Sequence, residues 1–332
     1  MSTIAEKLTQ LNQVKANIKL AIEAKGVSDV GVNFTLYPDK IASIPQTVSV
    51  TKTKLHNGIR FVESQAVNPD DFDWTEMTEL TQMFQRCSTA FGNALPNFTN
   101  VFTQCGSNVT NISGFLWQTS TNGKTDLANS GFGLVTNCQY WQNCFSGNTT
   151  ATEYVIPANF ASRSSRSGVS LNFQNLFREN AALKVLDINN FWAWNKYTEG
   201  DNISVMLDRF CSDCPALTDF IATKVNFKGI GFEYWEGGHW NVWMNCPNLV
   251  NLKLCSGFFE GPSGPAQSRD FSTTGYVPTA KLYEWLQGVS AVQEGATLYF
   301  NSSQVATLNS TTVSDTTLYN AIAALGWTIQ AV

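Results

Sequence analysis

The sequence predicts an α/β fold in three parts: an N-terminal helix that self-associates, an irregular array of stacked repeats, and an α/β element that closes the far end of the array. Three observations carry this. A phrase of fixed spacing is written several times along the chain, residues 2–25 carry a single apolar stripe at helical spacing, and the chain from Pro278 onward alternates helical and strand patterns.

The phrase is clearest at Val242-Trp243-x-x-Cys246-x-x-Leu249-x-x-Leu252-x-Leu254. It recurs as Phe210-Cys211-x-x-Cys214-x-x-Leu217-x-x-Phe220-x-Ala222 and as Leu176-Phe177-x-x-Asn180-x-x-Leu183-x-x-Leu186-x-Ile188. Its front half also stands at Met83-Phe84-x-x-Cys87, Val101-Phe102-x-x-Cys105 and Tyr140-Trp141-x-x-Cys144, where the back half is blurred. Units of this kind cannot bury an apolar face alone and must stack. The alternation at the end of the phrase puts its last two apolar residues on one face of a short strand.

This pattern resembles the BspA-type leucine-rich repeats of bacterial surface adhesins and of some phage virion proteins. The segment Asn108-Val109-Thr110-Asn111-Ile112-Ser113, after Phe102-x-x-Cys105, resembles the shorter-period variant of those repeats. The resemblance covers residues 80–332 in patches. It implies a leucine-rich-repeat solenoid over 80–275 and a C-terminal α/β cap over 276–332, the cap ending in Gly326-Trp327-Thr328.

Taken in order, the N-terminal stripe is Ile4, Leu8, Leu11, Val14, Ile18, Ala21 and Ile22, with Lys7, Lys15, Lys19 and Glu23 largely outside it. Thr3-x-x-Glu6 reads as a capping box and Gly26 as the residue just past the end. Phe34, Tyr37, Ile41 and Ile44 repeat the three-four-three spacing, with Pro38 placed to start a second short helix and Pro45 to stop it. Residues 1–45 resemble the leader of tailed-phage fibres and other virion proteins. That resemblance implies an anchor, commonly trimeric, in which Ile4, Leu8, Leu11, Val14, Ile18 and Ile22 form the oligomer seam, giving a bundle or coiled coil.

Residues 46–79 are expected as a small β connector, with a hairpin at Asn57-Gly58 and an acidic helix start at Asp70-Asp71. From Leu80 the array begins. The Gly-, Asn-, Ser- and Thr-rich stretches 119–137 and 145–170 read as inserted loops. In the closing element, residues 278–286 and 315–325 read as helices, the second capped by Asp315 and ended by Gly326, with a strand at 296–300.

Composition narrows the function. The net charge of −5 disfavours a phosphate-binding surface, so no nucleic acid is expected. No apolar run reaches the ~20 residues of a membrane span, and no basic-then-apolar signal pattern opens the chain. Of the eight cysteines, five fall on the repeat's Cys position and Asn180 takes a sixth copy of it. A Cys that Asn can replace is a small buried group beneath a turn, so neither a metal nor another cofactor is expected.

The two histidines, His56 and His239, stand beside no nucleophile motif, and the chain is read as a non-enzyme. The candidate binding surface is the insertion Glu233–Asn241. There Tyr234, Trp235 and Trp240 offer flat faces and His239 a hydrogen-bonding tip, extended by Trp192 and Trp194 after an earlier strand. Glu233 and Glu236 would be the acid pair of a glycan hydrolase, the enzyme alternative. The two resemblances imply a structural protein of the phage particle exterior, in head or tail fibre, made without a signal peptide. It would associate with itself and with other virion proteins, and display a surface for a host glycan or protein. A bacterial surface adhesin is the alternative within the binding class.

Overall fold

The computed structural model describes residues 4–23, 52–61, 67–88, 91, 94–165, 167–195, 202–232, 242–261 and 268–332. By internal contacts the chain forms two compact units, Met1–Lys52 and Thr53–Val332.

In the first unit, α1 (Ile4–Glu23) covers the predicted stripe from Ile4 to Ile22. Leu8, Leu11 and Val14 are exposed at 57%, 57% and 50%, and Ile18 is half-buried. Lys19 and Glu23 pair at 3.7 Å, and Gln13 Nε2 donates to Asn17 Oδ1 at 3.1 Å. Such pairs stabilise a helix by only ~0.2–0.5 kcal/mol each. Thr3, Gly26 and the segment from Phe34 to Ile44 lie outside the described residues.

The second unit opens with β1 (Thr53–Lys54) paired parallel to β2 (Phe72–Asp73). Among the described residues Asn57-Gly58 joins no two paired strands, although Gly58 turns the chain at φ +88°. Asn57 is held instead by the next segment: its Oδ1 accepts the Thr78 and Glu79 N–H groups at 3.0 and 3.1 Å, and its Nδ2 donates to Thr78 Oγ1 at 2.6 Å. Asp70 and Asp71 lie in the first turn of a 3₁₀ helix, Pro69–Asp71, capped by Asn68.

The chain continues through α2 (Thr99–Cys105), β3 (Gly123–Asp126), β4 (Ala151–Val155), β5 (Ser167–Asn172), β6 (Val185–Asp187), α3 (Trp192–Asn195), β7 (Asn202–Met206), β8 (Asp219–Ile221), β9 (Ile230–Phe232) and β10 (Asn251–Lys253). A five-stranded sheet in the order β10-β8-β6-β4-β3 and a three-stranded sheet in the order β5-β7-β9 are both parallel throughout. The closing element contains β11 (Arg269–Asp270), α4 (Ala280–Gln287), β12 (Thr297–Phe300), α5 (Ser302–Ser310), β13 (Thr312–Val313), β14 (Thr316–Thr317), α6 (Leu318–Ala324) and β15 (Thr328–Ala331). Strands β11-β12-β15 make a further parallel sheet, and β13-β14 a short hairpin.

The fold is therefore mixed α/β with several small parallel sheets, and it overturns the expected architecture of one leucine-rich-repeat solenoid closed by an α/β cap. The reason is visible in the strands. The back half of the phrase makes a ladder only where it is written clearly, with Leu186, Phe220 and Leu252 in register across β6, β8 and β10. Where it is blurred, single bridges remain, from Glu79 to Asn111 to Tyr140 to Asn172. The stretches read as inserted loops hold β3, β4 and the start of β5, which extend one sheet and begin another.

Two caps also differ. Asp315 sits at φ +65° in the β13-β14 turn, and Thr317 caps α6 by accepting the Asn320 N–H at 3.2 Å. Helix α5 was not expected at all, yet Asn301 and Gln304 form a reciprocal capping box at its start.

The front half of the phrase folds as a tight double bend around Phe84, Phe177 and Phe210. Val101-Phe102-x-x-Cys105 lies in α2 instead, and two further bends enclose Phe115 and Phe145, which the phrase did not mark. Residues four apart take a left-handed backbone: Gln82 and Arg86, Gly114 and Gln118, Asn143 and Gly147, Asn175 and Glu179, Arg209 and Asp213. Their N–H groups reach the next unit, as Gln82 to Ser113 O at 2.9 Å, Asn143 to Gln174 O at 3.1 Å and Asn175 to Asp208 O at 3.1 Å. Beneath the bends runs a row of rings. Phe84, Phe115, Phe132, Phe145, Phe177 and Phe210 follow one another at centroid distances of 5.1, 6.0, 5.1, 5.6 and 5.4 Å. Rings at such separations are each worth ~0.5–1.5 kcal/mol beyond the area they bury.

Candidate functional site

The predicted aromatic surface divides on inspection. Tyr234, Trp235, His239 and Trp240, with Glu233 and Glu236, lie outside the described residues. Their segment leaves β9, an edge strand, and returns at Val242, whose carbonyl accepts the Cys211 N–H at 2.8 Å.

Trp192 and Trp194 do not extend a surface platform, because both are buried, Trp194 at 1% exposure. Trp194 stacks on Phe191 at 4.6 Å and donates its Nε1–H to Ile188 O at 2.9 Å, which satisfies its polar end inside the core. Trp243 is core in the same way. It stacks on Phe258 at 5.5 Å and donates to Asp270 O at 2.7 Å.

At three of the five Cys copies the position shares one chemistry, while Cys105 donates to Val101 O of its own helix at 3.3 Å. Cys87, Cys214 and Cys246 place Sγ 3.6, 3.2 and 3.2 Å from Phe61 O, Phe177 O and Cys211 O, each a carbonyl of the preceding unit. Asn180 does the same through Nδ2, at 3.0 Å from Phe145 O. The shared task is to supply a buried donor to a carbonyl the bend leaves over.

Burial pushes the Cys105 and Cys138 thiols up to about 12, with backbone hydrogen bonds at Cys105 itself, and at Tyr140 and Ile112 for Cys138, opposing the rise. Cys255 is only half-buried, and burial raises its thiol as well. Alkylation of the native protein, followed by mass spectrometry, is expected to modify Cys255 first and faster as pH rises, since the thiolate is the nucleophile. Earlier modification of Cys87 or Cys246 would show that the bends open. Among the described residues, no group of three His, Cys, Asp or Glu side chains is placed to hold a metal ion. His56 is exposed, with Nδ1 3.5 Å from Glu76.

Between units, Asp213 is gripped from both sides. Arg178 Nε donates to its Oδ2 at 2.9 Å and Asn245 Nδ2 to its Oδ1 at 2.8 Å. Partial burial pushes its carboxyl up, but these bonds outweigh it and hold the pKa below the usual value. Its contribution to stability is therefore present above a pH of ~3.9 and is lost as pH falls through the lowered value.

Two clefts lie away from the predicted binding residues. One, of about 290 Å³, lies beside Lys224, Lys228 and Cys255. The larger, of about 400 Å³, lies between β3 and the segment before α2, and is lined by Ala94, Leu95, Asn97, Asn122, Lys124, Asp126, Asn129 and Ser130. Asp126 is fixed there, its Oδ1 accepting the Asn129 N–H at 2.9 Å and its Oδ2 the Asn129 Nδ2 at 2.6 Å. Lys124 Nζ donates to Glu153 at 2.8 Å, and Asn97 Oδ1 accepts the Thr99 N–H at 2.8 Å. The one local hint in the sequence was Asp126-x-x-Asn129, a pair that bonds across a turn, inside a stretch read as a loop.

Among the described residues, no helix is long and apolar enough to cross a membrane. Comparison of the chain with protein-family models, with curated proteins and with solved structures gave no match.

Proposed function

We propose that the chain is a structural virion protein of a tailed phage, which self-associates through α1 and presents its Thr53–Val332 unit as a non-catalytic surface for a host glycan or protein. The observation that carries this reading is the exposed stripe of α1, with Leu8, Leu11 and Val14 each at least half accessible. A lone 20-residue helix gains little from intrinsic propensity. Burying that stripe against other copies contributes ~25 cal/mol per Å² of apolar surface. The likeness of residues 1–45 to fibre leaders supports a trimer, and attachment to other virion proteins through the same end.

The test has two arms. Light scattering of the full chain and of a chain lacking residues 1–23 is expected to give a trimer and a monomer respectively, and a monomeric full chain would remove the basis for self-association. Mass spectrometry of purified phage particles is expected to find peptides of this chain. Finding them on bacterial cells that carry no phage genome would move the protein to the adhesin class.

A further inference from the structure

We infer that the cleft at the β3 edge of the five-stranded sheet binds a neutral sugar ring, an assignment that rests on the recognition reading above and names its ligand class. At about 400 Å³ it falls at the lower end of the ~300–1,000 Å³ typical of small-molecule sites. Its chemistry selects among ligands. Sugar hydroxyls donate and accept at once, so their site needs both kinds of partner held in place.

Asp126 supplies acceptors: each carboxylate oxygen takes one bond from Asn129 and keeps a further acceptor position open. The exposed Asn122 amide, which makes no hydrogen bond among the described residues, supplies both a donor and an acceptor. Lys124 adds N–H donors beyond the one used on Glu153. Leu95 and Ala94 offer the apolar patch that the C–H face of a pyranose covers.

Charged ligands fit less well. An anion would meet Asp126, and a metal cation would find one carboxylate and an ammonium beside it. Because Asp126, Lys124 and Asn97 are tied down before any ligand arrives, little ordering entropy opposes binding.

The probes are the methyl glycosides of glucose, galactose, mannose and N-acetylglucosamine, titrated into the full chain by saturation-transfer NMR and calorimetry. At least one is expected to bind, with Asp126→Ala weakening it roughly tenfold or more, as loss of a hydrogen bond to a charged group does. Asn122→Ala is expected to weaken it about threefold. That second side chain holds nothing in the fold, so its variant guards against a misfolded Asp126→Ala, and an unchanged melting curve verifies both.

No signal from any of the four glycosides would overturn the assignment, as would binding unaffected in both variants, or binding of an extended peptide with no sugar competing. Attachment of the full chain to whole bacterial cells, with no binding of the four glycosides, would sink the cleft alone. The particle and mass measurements above judge the wider reading without reference to this site.

Discussion

Replacing Phe115 with Ala is expected to lower the unfolding free energy by ~3–5 kcal/mol, the range for emptying a large aromatic from a packed core. Phe115 is fully buried and meets Phe84, Phe98, Phe102 and Phe132 at 5.1, 5.2, 5.9 and 6.0 Å. It is a junction in the row of rings, and four neighbours lose a face when it goes. Urea unfolding of the two proteins measures the difference, and Phe115→Leu should lose much less because most of the volume is kept. A loss below ~1 kcal/mol for the Ala variant would mean that the surrounding rings collapse into the gap, and that the row is not close-packed there.

Removing the side-chain amide of Asn180 is the second large effect. Its Oδ1 accepts the Tyr154 hydroxyl at 2.7 Å, and its Nδ2 donates to Phe145 O at 3.0 Å and Phe177 O at 2.7 Å, all in the interior. Asn180→Ala removes these bonds and leaves Phe177 O with the Cys214 thiol at 3.2 Å and Phe145 O with the Tyr154 hydroxyl at 3.5 Å as partners, so a loss of ~1–3 kcal/mol is expected. Asn180→Cys should cost less, because a thiol here can donate to Phe145 O as Cys214 does to Phe177 O. It still leaves the Tyr154 hydroxyl with only Phe145 O, at 3.5 Å, as its acceptor. Combining Asn180→Cys with Tyr154→Phe should therefore recover stability relative to Asn180→Cys alone, the non-additive outcome of a double-mutant cycle. Strict additivity would show that the Tyr154 hydroxyl gains nothing from Asn180 that Cys does not also supply.

That comparison also marks what could be read from the sequence. The exchange of Cys for Asn pointed to a buried structural role, since it ruled out a thiolate ligand common to all copies, and the sulfur-to-carbonyl contacts supply its physical content. The apolar alternation in Leu186-x-Ile188, Phe220-x-Ala222 and Leu252-x-Leu254 pointed to strands with one buried face, and all six residues are buried. The grouping of strands was not legible. Which strands pair depends on the residues between the phrases, and β4 and β5 lie in Ser- and Thr-rich stretches with no apolar period long enough to mark them.

The double bend was hidden for a different reason. Left-handed backbone is read from Gly and Asn, and here Gln82, Arg86, Gln118, Glu179 and Arg209 adopt it as well, held by hydrogen bonds to units not adjacent in sequence. The expected extension of the aromatic platform was overturned by packing. Trp192 and Trp194 follow a strand as a surface insertion would, but both are buried on a four-residue helix, α3, with Trp194 against Phe173 and Phe191.

The bonds that join one bend to the next, such as Phe84 to Phe115, Phe145 to Leu176 and Phe177 to Phe210, each close a stretch of about thirty residues. Closing such stretches costs nearly the same entropy every time, because the cost grows only with the logarithm of length. No step in assembling the stack is then much harder than the step before it, and structure can spread outward from whichever bend forms first. Amide hydrogen exchange should reflect this as a gradient of protection, slowest around Phe145 and Phe177 and faster toward the outermost bends.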